Sequence, residues 1–417
     1  MVSRGDLIEL ELTDITHGGD ALGRHEGLVC FVPYGVPGDR ARVRVTEAKS
    51  HYVRGELLEV LAASPHRVTP PCRHFGRCGG CHWQHIAYPQ QLAYKQRIVQ
   101  EQMARIAKLP DVPVRPTLGM DEPWHYRNHV QLTPDREGNL GYLAARSHDV
   151  VAIEECYLPH PLIEEVLASL DLDYPGLRQV SLRAGTRTED RMVILDVEGD
   201  EPEIEVDDLP LSLVLLPPEG ALRVLVGDDH IHEELAGRRY RISAESFFQV
   251  NTDQAEHLVR LVREALAPTG GERLLDLFCG VGTFGLALAS QVRQVIGVEE
   301  SEGAIADAVE NTEGLENVEL WQGSVEEAIA EVEPGVELVV LDPPRAGVAA
   351  GALAALIKLA PQRIAYVSCD PASLARDLRI LADGGYEARY IQPVDMFPQT
   401  YHVETVALLS RVNLEKQ

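Results

Sequence analysis

The sequence predicts an α/β protein with a doubly wound, mainly parallel sheet at its C-terminal end, a central α+β part and an N-terminal OB-like β-barrel. Three observations predict it: an apolar strand entering a glycine-spaced turn at residues 274–286, alternating strands and helices from residue 243, and short β-rich runs between turns over residues 1–62. A chain of 417 residues is expected to form two or three domains. We place the domains at residues 1–63, 64–242 and 243–417.

The barrel is predicted from period-two patterning with turn signals at short intervals. Arg40, Arg42 and Arg44 fall on one strand face, where they either bind an anion or are ordinary solvated positions. The net charge of −27 is carried almost entirely by residues beyond 150, so an anion-binding face is more expected in the first 150 residues. The β-rich runs lie at residues 7–12, 28–32, 40–46 and 52–60.

The chain has no unbroken apolar run of about 18 residues, and its first residues lack the apolar region of a signal peptide. We therefore expect a soluble, cytoplasmic, monomeric protein without a membrane partner. Seven cysteines in such a chain indicate metal binding or catalysis rather than a disulfide framework.

The central part opens with a cysteine cluster after Pro70 and Pro71. Cys72, Cys78 and Cys81 surround a Gly-Gly corner, and a lone Cys156 follows. Four thiolates suit either tetrahedral zinc or a cubane iron–sulfur cluster, and zinc stays open because His74, His82 and His85 are nearby. Beyond the cluster we expect a helix over residues 88–107, an alternating strand over 126–132 and an acidic loop at 200–208.

The glycine-spaced turn indicates a nucleotide site. Gly280 and Gly282 can adopt positive φ and admit a ligand against bare backbone, while Gly285 permits close packing of a helix on the sheet. Glu299 ends the next apolar strand, where its carboxylate can accept hydrogen bonds from ribose hydroxyls. Both NAD and S-adenosylmethionine carry that ribose, so these features leave the two ligands open.

The rest of the C-terminal domain follows the same alternation. Asn251 is predicted to cap a helix with an apolar stripe from Ala255 to Leu266. Function is expected at the carboxyl ends of the strands. The strands are predicted at residues 273–278, 294–298, 318–321, 337–341, 363–368 and 404–411.

Two of these strand ends carry chemically useful groups. Asp342 precedes two prolines in a stiff turn that can hold a base or the amino-acid end of a cofactor, although Asp-Pro-Pro can also be a simple loop breaker. Cys369 ends the next strand ahead of a helix start, which predicts a pKa below about 8.5 and a reactive thiolate, against the alternative of an inert buried thiol. Cys279, a second candidate, lies among backbone amides aimed at the ligand, and we prefer Cys369.

Together these motifs resemble a known family. Asp-Leu-Phe-Cys-Gly-Val-Gly-Thr-Phe-Gly at 276–285, Asp-Pro-Pro-Arg at 342–345, Ser-Cys-Asp-Pro at 368–371 and Phe-Pro-Gln-Thr-Tyr-His-Val-Glu-Thr-Val at 397–406 resemble the RNA uracil-C5-methyltransferases that use S-adenosylmethionine in a class I, Rossmann-like domain. Residues 1–62 are similar to the TRAM barrel of the 23S ribosomal RNA members. The cysteine cluster is similar to their iron–sulfur site.

The resemblance implies roles for individual residues. Carbon 5 of uracil is a weak nucleophile, so a thiolate must first add at carbon 6, and this role falls on Cys369. The base that later removes the carbon 5 proton falls on Glu404, with His402 as a rival. The expected cofactor contacts are Gln249, Phe278, Thr283, Glu299, Ser324 and Asp342; threonine at 283 departs from the asparagine common in relatives.

The resemblance also implies a [4Fe-4S] cluster held by Cys72, Cys78, Cys81 and Cys156 and an RNA substrate gripped by the barrel and the central domain. The cluster cysteines and the barrel favour ribosomal RNA over transfer RNA. Two other functions stay open: a nitrogen methyltransferase that uses Asp-Pro-Pro as its clamp, and a non-catalytic iron–sulfur protein that assists ribosome assembly.

Overall fold

The structure is a computed structural model that describes residues 2–170, 172, 174, 176–199, 210–217 and 221–412. The acidic loop expected at residues 200–208 lies outside the described residues. Within the described part of the chain, no helix combines the length and apolarity needed to cross a membrane.

The N-terminal strands are β1 (Leu7–Ile15), β2 (Ala21–His25), β3 (Leu28–Val32), β4 (Arg40–Ala48) and β5 (Tyr52–Ala62). They form a closed barrel in the order β1-β2-β3-β5-β4. Alternate residues such as Leu10, Leu12, Val43 and Val45 are buried inside it, as period-two patterning requires. The predicted barrel is confirmed, with one strand, β2, that the sequence pattern did not reveal.

The three arginines of β4 are paired with carboxylates on the barrel surface. Arg40 and Arg42 contact Glu9, Arg42 also contacts Glu59, and Arg44 contacts Glu56. These contacts favour ordinary solvated positions over an anion-binding face.

The central part begins with α1 (Tyr88–Gln102), which a π-helical turn extends through Met103–Ala107, so the helix expected over residues 88–107 is confirmed. Seven strands follow: β6 (His129–Pro134), β7 (Leu140–Leu143), β8 (Val150–Ala152), β9 (Leu177–Ala184), β10 (Arg191–Val197), β11 (Ser212–Leu216) and β12 (Arg223–Val226). They form one sheet in the order β12-β11-β10-β9-β6-β7-β8, with α2 (Pro161–Ser169) packed against β9 and β10.

The strand expected over residues 126–132 begins only at His129. The residues before His129 depart from the strand. The backbone of His125 is left-handed, with a φ of 51°. The amide of Arg127 donates to the carbonyl of Leu158 at 2.8 Å and so pairs with a different segment. A hairpin of β13 (His230–Leu235) and β14 (Arg238–Ser243) then leads into the C-terminal domain.

All six strands predicted in the C-terminal domain are present: β15 (Arg273–Leu277), β16 (Gln294–Glu299), β17 (Val318–Gln322), β18 (Leu338–Leu341), β19 (Arg363–Ser368) and β21 (Glu404–Arg411). A seventh strand, β20 (Tyr386–Val394), was not predicted. The seven strands form one sheet in the order β17-β16-β15-β18-β19-β21-β20. The first five in this order are parallel, and β21 runs antiparallel to both neighbours, so the mainly parallel sheet is confirmed.

Helices cover both faces of this sheet and bury two apolar clusters against it. Asn251 caps α3 as predicted, because its side chain accepts a hydrogen bond from the amide of Gln254 at 3.2 Å. The stripe from Ala255 to Leu266 faces the core. The helices are α3 (Thr252–Leu266), α4 (Gly285–Leu288), α5 (Glu302–Asn311), α6 (Val325–Glu331), α7 (Ala350–Leu359) and α8 (Pro371–Asp383).

Candidate active site

Strand direction brings the predicted catalytic residues to one edge of the C-terminal sheet. Asp342 and Cys369 follow the carboxyl ends of β18 and β19. Because β21 is antiparallel, its first residue, Glu404, lies at the same edge: Ser368 pairs with Thr405, whose hydroxyl donates to the Ser368 carbonyl at 3.0 Å. The thiol and the carboxyl are therefore neighbours although they are 35 residues apart in the chain.

The glycine loop after β15 has the backbone geometry that its sequence predicts. Gly280 and Gly282 have φ angles of 54° and 90°, and Phe278 is also left-handed at 62°. A Cβ on Gly285 would lie 2.7 Å from Asp276 Oδ2, which confirms that a glycine is needed for close packing there. The Gly285 amide instead donates to that oxygen at 2.7 Å.

The Glu299 carboxylate is fixed beside this loop. It accepts hydrogen bonds from the amides of Gly280 and Ser301, each at 2.9 Å. Cys279 is buried beneath the loop, and burial together with the carboxylates of Asp276 and Glu299 raises its pKa well above the usual thiol value. A neutral buried thiol lines the loop and is a poor nucleophile, in agreement with the preference for Cys369.

Carboxyl groups dominate the electrostatics of the site. Burial raises the pKa of Asp276 and of Asp342 to about 7. Among the residues that the structure describes, Asp276 Oδ1 is a buried oxygen without a hydrogen-bond partner. Burial, then the nearby Asp342, raises the pKa of Glu404 well above its ordinary value, and only Arg345 opposes this shift.

The expectation of a lowered pKa at Cys369 is wrong. Burial, with smaller contributions from Glu404 and Asp342, raises the pKa of this half-buried thiol to about 11, although Arg345 opposes the shift. The N-terminus of α8 cannot compensate, because the Asp370 carboxylate already caps it by accepting from the amides of Ala372 and Ser373 at 2.9 and 2.8 Å. In the free protein Cys369 is therefore a thiol at neutral pH.

A cavity of about 210 Å³ lies over Cys369. Its polar lining includes Arg345 and His402, and burial lowers the pKa of His402 to about 3, with Arg345 adding to that effect. The barrel also reaches this cavity through His17 and Gly18.

Comparison with known proteins identifies the family. The family described as "tRNA (Uracil-5-)-methyltransferase" matches residues 210–412, and the TRAM domain matches residues 2–58. An uncharacterized RNA methyltransferase of Halalkalibacterium halodurans is 37% identical, with 99% of this chain and 98% of that protein covered. Another from Streptomyces avermitilis is 38% identical, with 97% of this chain and 98% of that protein covered.

A solved structure agrees. The Pyrococcus abyssi tRNA (uracil-54, C5)-methyltransferase in complex with S-adenosyl-L-homocysteine superposes with a TM-score of 0.76 and 29% identity, covering 96% of this chain and 100% of that one. The chain belongs to the RNA uracil-5-methyltransferase family. It is an enzyme with a TRAM domain and a methyltransferase fold that uses S-adenosylmethionine.

Three other expected cofactor contacts of the methyltransferase, Gln249, Thr283 and Ser324, differ in the hydrogen bonds that they make within the protein. Gln249 is buried, and its carbonyl accepts from Asn128 at 2.9 Å. Thr283 is half-buried, and its carbonyl accepts from the Tyr240 hydroxyl at 3.2 Å, which leaves the threonine hydroxyl outside that bond. Ser324 is the N-cap of α6: its hydroxyl donates to the Glu327 carboxylate at 2.9 Å and accepts from the Glu327 amide at 3.3 Å, so its side chain is engaged in the helix.

All four predicted cluster cysteines line one cavity of about 480 Å³. Burial raises the pKa of Cys81 to about 12 and that of Cys156 to about 11, while the guanidinium of Arg127 beside Cys81 opposes the shift. The Gly-Gly corner is tight, because a Cβ on Gly79 would lie 2.8 Å from the Leu143 carbonyl oxygen. In the described part of the chain, no three or more His, Cys, Asp or Glu side chains converge closely enough for a single metal ion.

The cysteine-bearing segment, residues 72–83, also contacts the edge of the sheet that carries Cys369 and Glu404. The amides of His82 and Trp83 both donate to the carbonyl of Gln399 at 2.9 Å, and the His82 ring lies 4.6 Å from the Tyr401 ring. These contacts hold residues 397–402, which lead directly to Glu404. The sequence analysis gave no role to Arg345, although this residue completes the Asp-Pro-Pro-Arg motif. The sequence analysis also missed His17, because the position of this residue depends on packing between domains.

Proposed function

We propose that this methyltransferase transfers a methyl group to carbon 5 of a specific uridine in 23S ribosomal RNA through a covalent bond between Cys369 and carbon 6 of the uracil. The observation that carries the proposal is the meeting of Cys369, Glu404, Asp342 and Arg345 at the edge of the sheet. In this proposal residues 1–63 and 64–242 bind RNA in the cytoplasm, and residues 243–417 carry out the chemistry.

The reaction follows from the valence of the uracil. Cys369 first releases its thiol proton to solvent, and the resulting thiolate adds to carbon 6 while the electron pair of the 5,6 double bond moves toward carbon 5 and the O4 oxygen. S-adenosylmethionine held beside Glu299 and Asp342 would supply an electrophilic methyl group, which carbon 5 would accept while the sulfonium sulfur keeps the electron pair of the broken bond. Glu404 then takes the proton from carbon 5, the double bond forms again, and the Cys369 thiolate leaves.

Glu404 suits the role of base better than its rival His402. A carboxylate with a raised pKa holds an abstracted proton more firmly than an ordinary one, whereas the pKa of about 3 makes the His402 imidazole a weak acceptor. The opposing charge of Arg345 favours the ionised forms of both Cys369 and Glu404. Arg345 therefore favours the ionised state that each group needs.

The carboxyl groups fit S-adenosylmethionine, whose sulfonium and ammonium groups are cationic. The buried unpartnered oxygen of Asp276 and the buried Asp342 offer negative charge, and Glu299 can still accept from ribose hydroxyls. The Pyrococcus abyssi enzyme, solved in complex with S-adenosyl-L-homocysteine, supports this cofactor over NAD. The residues proposed to hold the cofactor are Gln249, Phe278, Thr283, Glu299, Ser324 and Asp342.

We also propose that Cys72, Cys78, Cys81 and Cys156 bind a [4Fe-4S] cluster. Each thiolate of a cubane binds a different iron, so its ligands need not converge as they do around one zinc ion. Four cysteines around one cavity, with a buried guanidinium to offset their charge, fit that arrangement. Anaerobically purified Cys156→Ser should lose iron and acid-labile sulfide, whereas Cys30→Ser, altered inside the barrel, should keep both. Stoichiometric zinc without sulfide would refute the cluster.

Transfer RNA is the second candidate substrate, because the Pyrococcus abyssi enzyme, whose superposition covers 96% of this chain, is a tRNA (uracil-54, C5)-methyltransferase. The four-cysteine cavity supports the ribosomal assignment through the resemblance to the iron–sulfur site of the ribosomal RNA members. The barrel does not discriminate, because the superposition with the tRNA enzyme covers 96% of this chain. Mapping 5-methyluridine in 23S and transfer RNA from cells with and without the gene decides between them. Loss of methylation in tRNA alone would overturn the ribosomal assignment.

The covalent route is tested with RNA containing 5-fluorouridine at the mapped site. In this RNA a fluorine atom replaces the carbon 5 proton, and a base cannot remove it, so the release of the Cys369 thiolate is blocked. The wild-type enzyme with its cofactor should therefore be trapped as an RNA adduct, and Cys369→Ala should not. If the wild-type protein forms no adduct with this RNA, the result would favour the non-catalytic role in ribosome assembly. Full methylation by Cys369→Ala would favour a nitrogen methyltransferase, which needs no thiol.

A further inference from the structure

The β1–β2 turn of the barrel reaches the catalytic cavity. His17 and Gly18 line the same cavity as Cys369, and His17 Nε2 lies 3.6 Å from Asp370 Oδ2, next to the proposed nucleophile. The imidazole is about one-third exposed, since its relative side-chain accessibility is 35%. The β1–β2 turn therefore lines the cavity over Cys369 and also belongs to the RNA-binding barrel.

The turn is held firmly in that place. Gly19 packs so closely that a Cβ would lie 2.5 Å from Tyr401 Cδ1, and the Trp83 indole nitrogen donates to the Gly19 carbonyl at 3.1 Å. The buried Asp20 carboxylate accepts from Arg146 at 3.0 Å. Contacts with both other parts of the chain thus fix His17 relative to Cys369.

We propose that His17 hydrogen-bonds the ribose 2′-hydroxyl of the target uridine and so positions its uracil over Cys369. This proposal rests on the proposed function, in which Cys369 attacks that uracil. It gives the barrel a direct part in the methyl-transfer reaction.

The geometry favours the ribose over other parts of the nucleotide. Gly18 is exposed and His17 is partly exposed, so they line the solvent side of the cavity. A uracil with carbon 6 against Cys369 would therefore have its ribose on the side of His17. A hydroxyl both donates and accepts, so it can pair with either tautomer of the imidazole. The Asp370 carboxylate beside His17 disfavours a phosphate at the same position. The 2′-hydroxyl is also the group that distinguishes RNA from DNA.

A double-mutant cycle between enzyme and substrate tests the contact. The substrates are the mapped RNA fragment and the same fragment with a 2′-deoxy target uridine. With wild-type enzyme the deoxy substitution should lower kcat/KM roughly 3- to 10-fold, the size expected for one hydrogen bond. His17→Ala should show a similar loss on RNA and no further loss on the deoxy fragment, while His17→Gln should restore part of the activity. The matched control is His51→Ala, an exposed barrel histidine in a different turn, which should keep the full deoxy penalty.

Two glycine variants test whether the turn must dock on the catalytic domain. Gly19 and Gly27 both have a φ of 83°, but a Cβ on Gly27 meets nothing within 4 Å. Gly19→Ala should therefore lower kcat and weaken the deoxy penalty, whereas Gly27→Ala carries the same backbone strain and should do neither. A His17→Ala enzyme that retains the full deoxy penalty would overturn the inference. Because 5-fluorouridine trapping by wild-type enzyme tests Cys369 independently, that result would leave the proposed function standing.

Discussion

The buried pair of Lys95 and Asp395 offers the sharpest test of how the central and C-terminal parts are joined. Both side chains are fully buried, and the Lys95 ammonium donates to the Asp395 carboxylate and, at 3.1 Å, to the carbonyl of Phe397. Lys95 belongs to α1, whereas its partners lie in the segment that leads to Glu404. Burial lowers the pKa of Lys95, and Asp395 opposes that shift.

Lys95→Met should lower the free energy of unfolding by roughly 3–5 kcal/mol, because it leaves a buried carboxylate without its counter-charge. Loss of the hydrogen bond to Phe397 adds roughly 1 kcal/mol. The double variant Lys95→Met/Asp395→Leu removes both charges and should be less destabilised than Lys95→Met alone. Urea unfolding followed by far-UV circular dichroism measures these differences.

The control is Arg260→Met, which removes an exposed pair with Glu264 within α3 and should cost at most about 0.5 kcal/mol. A cost below about 1 kcal/mol for Lys95→Met, or a double variant as unstable as the sum of the two single ones, would refute the reasoning. Either result would mean that the pair does not join the two parts energetically.

The other predictions concern the site itself. Alkylation of Cys369 by iodoacetamide, followed by mass spectrometry, should rise about tenfold per pH unit between about pH 6 and 9, because its pKa of about 11 leaves thiolate scarce; a plateau below about pH 8 would contradict this. Arg345→Gln should slow that labelling at a fixed pH, since the guanidinium lowers this pKa. Gly285→Ala should weaken S-adenosylmethionine binding in calorimetry at least about tenfold by pressing on Asp276, whereas Gly271→Ala, with open space around it, should bind normally.

Local patterns predicted most of the fold, because they report which residues face a core. The alternation in the barrel and the strand–helix succession after residue 243 were both confirmed. The predictions failed where contacts between residues distant in the chain determine the structure. Arg127 pairs with the segment near Leu158 instead of extending β6. The strand β20 (Tyr386–Val394) alternates weakly because parts of both its faces are covered. No local signal reports such partners.

The site was predictable as a set of residues but not as an electrostatic arrangement. Cys369 was expected to be acidic because a helix starts beside it, yet burial raises its pKa, and Glu404 and Asp342, which come from other strands, add to that shift. Ser324 matched a cofactor position, but its hydroxyl caps its own helix. His17 could not be found from sequence, because its approach to Cys369 depends on how the barrel docks.

The reversed direction of β21 explains why the active site needs all three parts of the chain. A seventh parallel strand would place Glu404 at the opposite edge from Cys369; the antiparallel strand brings it back, but its entry loop, residues 397–402, must then lie across the catalytic edge. The cysteine-bearing segment holds that loop through Gln399, and the barrel packs on it through Tyr401. Supports outside the sheet are therefore a consequence of the topology that brings the proposed base, Glu404, to the proposed nucleophile, Cys369. If Glu404 has this role, loosening either support should impair proton removal before it affects cofactor binding at β15 and β16.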